Sequence, residues 1–338
     1  MKKDHPIKAL FIVIAAFMCL ISCRTDRPYK ESVLMESTER DSLMICSFNI
    51  QFLGHFKKKD DHALASILKD YDIVVIQELV APPVDGVYPD NTAYEADTES
   101  ADFFNEMNKL GFSYRLSEED TGTNDEIHKS SSATEWWVAF YKPEAVNSVN
   151  DIPSGFLADD RSNHDDYERV PYAFAFRTRD DKLDFVLISV HLQPGDSTSD
   201  KRRRKHELSA ITNWIDHNNA SEKDFIILGD MNIENAAELT DVTPPGYLSL
   251  NDECRSTNTN PNSPRPYDHV MYNTTATTEI DAGYDLEVVD LIQAMKSSWT
   301  STTIAYPGNP YHHNLFRQYY SDHHPIVFKM SIPEEDDD

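Results

Sequence analysis

Carboxylates, amides and imidazoles recur in this chain at one kind of place, the ends of short apolar runs. Asn49 closes LMICSFNI and Glu78 closes DIVVIQEL. His191 ends FVLISVH, Asp230 and Asn232 end FIILGDMN, and Asp322-His323 opens the stretch that continues as HPIVFKM. One such residue alone is an ordinary strand-end cap or turn former. A series sharing the position points to side chains meeting at one rim of a layered fold. Their types suit one reaction. Glu78, Asp230, Asn232, Asn49 and Asp322 offer oxygen donors, which match Mg²⁺ or Mn²⁺, with Ca²⁺ as an auxiliary ion, better than a soft metal. His191 and His323 supply groups that titrate near neutrality. The chain has no Gly-rich phosphate loop and no Cys/His zinc spacing. Hard metal, imidazole and carboxylate together suggest attack of water on a phosphate ester, the metal neutralising charge that develops in the transition state.

The elements that must position these groups alternate along the chain. LMICSFNI and DIVVIQEL read as buried strands, separated by Ala63, Leu64, Ile67, Leu68 and Tyr71 at helical spacing. Phe103, Phe104, Met107 and Leu110 repeat the helical pattern, with Gly111 as a stop. EWWVAFYK, YAFAFRT, DFVLISVHL, DFIILGD, DHVMYN and HPIVFKM are again strand-like, and Leu208, Ile211, Trp214 and Ile215 mark a helix within that series. Many strands and few helices predict two sheets packed face to face and covered by helices. With 40% apolar residues the chain can fill such a core, and no Pro/Gly-rich hinge divides it. One domain over residues 43–333 is the economical reading.

The strings CSFNIQFLG, IVVIQEL, FVLISVHLQP, FIILGDMNIE, YDHVMYN and SDHHPIVFKM resemble, in order, the motifs of the endonuclease/exonuclease/phosphatase superfamily. EWWVAFYKP, YERVPYAFAF and STNTN…PYDHV are similar to its deoxyribonuclease I branch. The resemblance implies a four-layer α/β sandwich of two mainly antiparallel mixed sheets. His191 and His323 would then be the acid/base pair, oriented by Glu135 and Asp268 respectively. Glu78 would be the main metal ligand with Asn49 beside it, and Asp230, Asn232 and Asp322 would complete the polar pocket. Arg169, and less strongly Tyr267, would contact phosphate. His324 stands beside the motif position and is left out. The branch also has an Arg after its metal Glu and a Tyr before its orienting Glu, both reaching into the DNA minor groove. The matching positions here hold Val80 and Ala133. The resemblance therefore supports the chemistry more than the substrate. A DNA endonuclease leads. Hydrolysis of a phospholipid, inositol phosphate or other small phosphate ester is the alternative, and a binding protein with a dead site would have lost His191, Asp230 or His323.

Charge and the chain ends bound the partners. A net charge of −27 repels nucleic acid at long range, so a polyanion must be met by local cations or metal. The run KRRRK at Lys201–Lys205 begins a helix and reads as a solvated face. Lys2, Lys3 and Lys8 precede an apolar run over residues 9–21 that stops at Ser22-Cys23, the layout of an export signal. LISC resembles a lipobox, which implies a cell-envelope lipoprotein acylated on Cys23. Residues 1–23 are then the signal, residues 24–42 a polar tether, and residues 334–338 a solvated acidic tail. Cys46 lies in an apolar strand pattern and is expected in the core; nothing requires it to pair with Cys254. A monomer without a protein partner is expected.

Overall fold

A computed structural model describes residues 40–122, 134–160, 164–281, 283–299 and 312–336. The chain divides into Met1–Thr38 and Glu39–Asp338, and everything described belongs to the second unit. The expected signal, the lipobox with Cys23, most of the tether and Ala133 lie outside the described residues.

In chain order the elements are β1 (Ser42–Leu53), α1 (Asp61–Leu68), β2 (Ile73–Leu79), β3 (Gly86–Val87), β4 (Ala93–Tyr94), α2 (Thr98–Lys109), β5 (Ser113–Leu116), β6 (Trp136–Tyr141), β7 (Val146–Ser148) and β8 (Gly155–Phe156). There follow β9 (Tyr172–Thr178), β10 (Asp184–His191), α3 (Thr198–Asn218), β11 (Phe225–Asp230), α4 (Ala236–Val242), β12 (Tyr247–Ser249), β13 (Asp268–Asn273), β14 (Glu287–Val288), α5 (Leu291–Ala294), α6 (His313–Tyr319) and β15 (Ile326–Ser331). One large sheet runs β14-β15-β1-β2-β6-β5 and the other β12-β13-β11-β10-β9-β7, with β8 on β9, and β3 and β4 form a separate two-stranded ribbon. Each large sheet has a parallel pair at its centre, β1 with β2 and β10 with β11, and antiparallel strands on both sides of it.

Period-two alternation decides which side chain goes where. In β1, Leu43 and Ile45 face the second sheet, where they pack with Ile73, Val75, Phe185, Leu187, Ile226 and Leu228. Their neighbours Cys46, Phe48 and Ile50 face outward onto α1 and α2 through Leu64, Leu68, Phe103 and Met107. The outer face of the second sheet, Val186, Ile188 and Ile227, is covered by Leu208 and Ile211 of α3 and Leu239 of α4. Four layers result. Each fully buried Leu, Ile or Phe contributes about 1.5–3 kcal/mol relative to exposure, so these three apolar seams supply the driving force. Helix starts are set by side chains: Asp60 caps α1, Asp97 caps α2, and Ser197 with Asp200 forms a capping box on α3.

Single residues at the two ends of the described chain touch the domain. Arg40 pairs with Asp72, whose other oxygen accepts the amide of Met44. In the acidic tail Glu334 and Glu335 are exposed, and Asp336 accepts the amide of Asp184 at 2.8 Å. In both cases a carboxylate meets a donor at a strand start. Cys46 is buried and Cys254 half-buried, both as free thiols. No helix among the described residues is long and apolar enough to cross a membrane.

Candidate active site

The seam between the sheets is apolar over most of its length and polar at one rim. On the inward positions of β1, Leu43 and Ile45 give way to Ser47 and Asn49. On β2, Ile73 and Val75 give way to Gln77; on β10, Phe185 and Leu187 to Ser189 and His191; on β11, Ile226 and Leu228 to Asp230. Strand pairing then aligns these positions. Asn49 is the neighbour of Gln77, His191 of Asp230, and Asp230 of Asp268. An intermediate layer, Ser47 to Gln77 and Gln77 to Ser189, hydrogen-bonds across the sheets and satisfies its own polar atoms. Above it lie the titrating groups.

Glu78 reaches this rim by a different route. Alternation alone would put it on the helix side with Val74 and Ile76. It adopts φ 61°, and pairing on both flanks of β2 shifts register around it. Such a bulge re-aims one side chain. Four of the seven non-glycine residues with positive φ among those described border the site: Gln51, Phe52, Glu78 and Asn232. Each costs on the order of 1–3 kcal/mol, which the surrounding contacts must offset. Lys59 helps, its buried ammonium donating to the carbonyls of Ile50 and Tyr320. Gly229 serves the opposite wall. At φ 139° a Cβ there would meet Val190 O at 2.1 Å, so only glycine lets β10 and β11 approach with His191 beside Asp230.

Asp230 is the hub. Its Oδ2 lies 3.5 Å from His191 Nε2 and 3.5 Å from His323 Nε2. The same oxygen accepts from Asn49 Nδ2 at 3.1 Å, and that amide nitrogen also donates to Glu78 Oε1 at 3.0 Å. Behind His323, Nδ1 meets Asp268 Oδ2 at 2.8 Å. Behind His191, Nδ1 lies 3.0 Å from Glu135 Oε1, off the hydrogen-bonding line, and Arg169 Nε approaches the same oxygen at 3.1 Å. Glu135 Oε2 accepts the amide of Glu78 at 2.7 Å, tying this pair to the bulge.

Burial and charge set the protonation. Burial lowers His323, but Asp268 and Asp230 outweigh it and hold the imidazole well above its ordinary value. Burial and Arg169 lower His191, and Glu135 with Asp230 reverse the sign, so it too is raised. Burial would raise Glu135, yet His191 and Arg169 keep it below the ordinary carboxylate value. Glu78 is raised by burial, with His191 opposing and Asp322 adding to the rise.

The remaining expected residues fall as follows. Asn232 donates its side-chain amide to Leu192 O, and its backbone amide goes to Asp230 Oδ1. Tyr267 places its ring 5.8 Å from that of His323. Arg169 engages Glu135 and, at 3.5 Å, His191 O, so its guanidinium backs the imidazole. Asp322 is held by Gln51 Nε2 and lies 3.5 Å from Arg317 and 3.9 Å from His323 Nε2. Asn49 turns Nδ2 to the carboxylates and Oδ1 to the amide of Gln51, because an amide between two carboxylates must donate. His324 caps Leu291 instead of joining the site.

A divalent cation fits this donor set. Glu78, His191 and Asp230 each offer an atom within 4.8 Å of the others. Asp322 Oδ1 and Gln51 Oε1 are buried acceptors with no hydrogen-bond donor among the described residues. Gln51, Ser321 and Thr257 were missed from sequence. Gln51 holds Asp322, Ser321 donates to Asn49 O and accepts the amide of His323, and Thr257 accepts the amide of Asp268. Their residue types carry no signal until the loops are placed.

The run KRRRK is solvated at Arg202 and Lys205 and departs from that expectation at Arg204. Arg204 is fully buried and binds Glu238 at 2.8 and 2.6 Å. Lys205 pairs with Asp241, Lys201 lies 3.8 Å from Glu238, and Arg203 donates to backbone carbonyls. A helix laid against a sheet buries about one side in three or four, and this run is long enough to reach it.

Two packed mixed sheets with imidazole–carboxylate pairs converging at one rim define a phosphoester hydrolase of the four-layer class. A family model described as the endonuclease/exonuclease/phosphatase family matches residues 46–323, and the chain belongs to that family. Solved structures agree on the fold. An endonuclease/exonuclease/phosphatase family protein of Bacteroides thetaiotaomicron is 14% identical with a TM-score of 0.53, over 86% of this chain and 98% of that one. The human nocturnin catalytic domain with bound sulfate is 15% identical with a TM-score of 0.53, over 87% and 94%. The mannosyl-6-phosphatase Bt3783 of B. thetaiotaomicron is 14% identical with a TM-score of 0.50, over 85% and 98%. A search of curated proteins finds no match.

Proposed function

We propose that this chain hydrolyses a phosphate ester by attack of water, with His191 and His323 as its proton-transfer groups. The observation behind the proposal is the 3.5 Å spacing of both Nε2 atoms from one oxygen of Asp230. Two imidazoles, each backed by its own carboxylate, thereby flank a common point. One takes the proton of the attacking water and the other gives a proton to the leaving oxygen. Glu78, with Asp230 beside it, would hold Mg²⁺ or Mn²⁺, which would offset charge developing on the phosphoryl oxygens. Asn49 keeps these two carboxylates at a fixed separation by donating to both.

On substrate, the structure supports a small ester over duplex DNA. A cavity of about 180 Å³ beside Asp322 and His323 is walled by Asn258, Asn260, Ser263, Tyr267 and His313. That neutral, hydrogen-bonding wall suits a compact hydroxyl-bearing leaving group. Arg204, at the centre of the basic run, is buried against Glu238 and is not presented to a DNA backbone. A larger cavity of about 770 Å³, lined from α1 and α2, has none of the site residues on its wall. One structural neighbour is named a mannosyl-6-phosphatase, so the fold serves a sugar phosphate elsewhere. DNA cleavage remains the second reading, carried by the likeness of YERVPYAFAF and EWWVAFYKP to the deoxyribonuclease I branch.

The test is incubation of the purified protein and Mg²⁺ with supercoiled plasmid, a phospholipid panel, inositol phosphates and sugar phosphates. Turnover of a soluble ester, lost in His191→Ala and His323→Ala, is expected. Plasmid nicking at a comparable or higher rate would restore the DNA reading, and no turnover of any ester would end both. We further propose that the protein is exported and held on the cell envelope by lipid on Cys23, supported by the lysine-then-apolar leader and LISC.

A further inference from the structure

Behind the His191 side of the site, three chain segments are fastened to one helix by two residues with no catalytic contact. Glu207 of α3 is fully buried, on the helix that also buries Leu208 and Ile211. Its Oε1 accepts the amide of Glu168 at 2.7 Å, and its Oε2 accepts the amide of Gln193 at 2.9 Å. One turn earlier, Arg204 donates to the carbonyls of Gln193 and Gly195 at 2.7 and 2.8 Å and pairs with Glu238. Glu238 in turn accepts the amide of Glu234 at 3.1 Å. The segments so held carry Arg169, His191 and Asn232.

A buried carboxylate is costly unless its hydrogen bonds are met, so an apolar residue at position 207 would be the cheaper way to fill this seam. What the carboxyl group adds is two hydrogen bonds accepted in divergent directions, one from each segment; burial raises this group to about 7, and the two amides oppose that rise. Those segments must agree closely. Arg169 Nε and His191 Nδ1 both approach Glu135 Oε1, at 3.1 and 3.0 Å, and the imidazole contact is already off the hydrogen-bonding line. A small slip of either segment changes which of the two cations that oxygen serves. The other half of the site is built elsewhere: Asp268 and His323 are steadied by Thr257 and Ser321, without contact to Glu207.

We propose that Glu207 is a positioning residue for the Glu135–Arg169–His191 half of the site, fixing the Arg169 and His191 segments through the amides of Glu168 and Gln193. The phosphoesterase reading enters only in the choice of kinetic assay.

The experiment compares full-length wild type with Glu207→Gln by ¹⁵N imidazole NMR, with His191→Asn and His323→Asn spectra assigning the two rings. Glutamine accepts from one amide and opposes the other with its own NH₂. We expect the His191 ring signals to shift in position and tautomer balance while the His323 signals stay in place. With an active ester, kcat should fall on the order of 10- to 100-fold, as for a displaced catalytic group, with KM little changed. Should Glu207→Gln not fold, Glu207→Asp, which keeps the carboxyl group but reaches only one amide, is read at the same signals. An unmoved His191 ring with wild-type kcat overturns the proposal. Equal disturbance of His191 and His323 overturns it too, since that is general loosening. If no ester is turned over by the wild type, the phosphoesterase reading fails while the NMR comparison still decides the role of Glu207.

Discussion

His323 Nδ1 meets Asp268 Oδ2 at 2.8 Å, with both side chains buried, across 55 residues of sequence. That contact leaves Nε2 as the only ring nitrogen facing the pocket and fixes the tautomer whenever the ring is neutral. Loss of the imidazole removes a proton-transfer group, a fall on the order of 10²–10⁴-fold in rate. Asp268→Asn leaves the ring but frees its tautomer and should also be severe. Because the two act as one unit, the double variant should cost little more than His323→Ala alone. A double-mutant cycle on kcat/KM checks this, and losses that simply multiply would show that they do not work as a pair.

Chelation should abolish activity, and Mg²⁺ or Mn²⁺ should restore it, because the acceptors around Glu78 are hard oxygens. Glu78→Gln should raise the metal concentration needed for half-activity while leaving both imidazole pairs intact. In thermal melts, added Mg²⁺ should raise the Tm of the wild type more than that of Glu78→Gln. Full activity in excess chelator, or a requirement for Zn²⁺ alone, contradicts the assignment.

His269 gives a pH prediction apart from catalysis. It is fully buried against Ser249 and lowered to about 4, with burial the main cause. The unfolded ring titrates near about 6.5, so below that pH the unfolded chain gains a proton that the folded one refuses. Its contribution is therefore complete above about pH 6.5 and is lost as pH falls toward 4, amounting to about 3 kcal/mol at most. Urea unfolding of wild type and His269→Asn across that range should show the wild type losing stability faster on acidification. Parallel curves would mean that His269 is not held neutral.

Cys23→Ala should release the protein from the membrane fraction or block its processing. An unchanged membrane fraction together with an unchanged mature mass would count against lipidation of Cys23.

From residue pattern alone, the four layers and most of the site were legible, since alternation and apolar run length are properties of local sequence. Asn49, His191 and Asp230 were marked by their place at the ends of apolar runs, whereas Asp268 came from the family resemblance. What only the tertiary structure decided were the departures from local rule. Glu78 enters the site because a strained bulge turns it from the face that alternation assigns. The orientation of the Asn49 amide depends on two carboxylates contributed by different sheets. Gln51, Ser321 and Glu207 work through backbone amides and side chains brought from distant segments. The basic run on α3 was read as solvated because charge on a helix usually is, yet Arg204 is buried by Glu238 and two carbonyls contributed by other segments. Strain, amide orientation and buried pairing are all set by long-range contacts, and these exist only once the two sheets have closed.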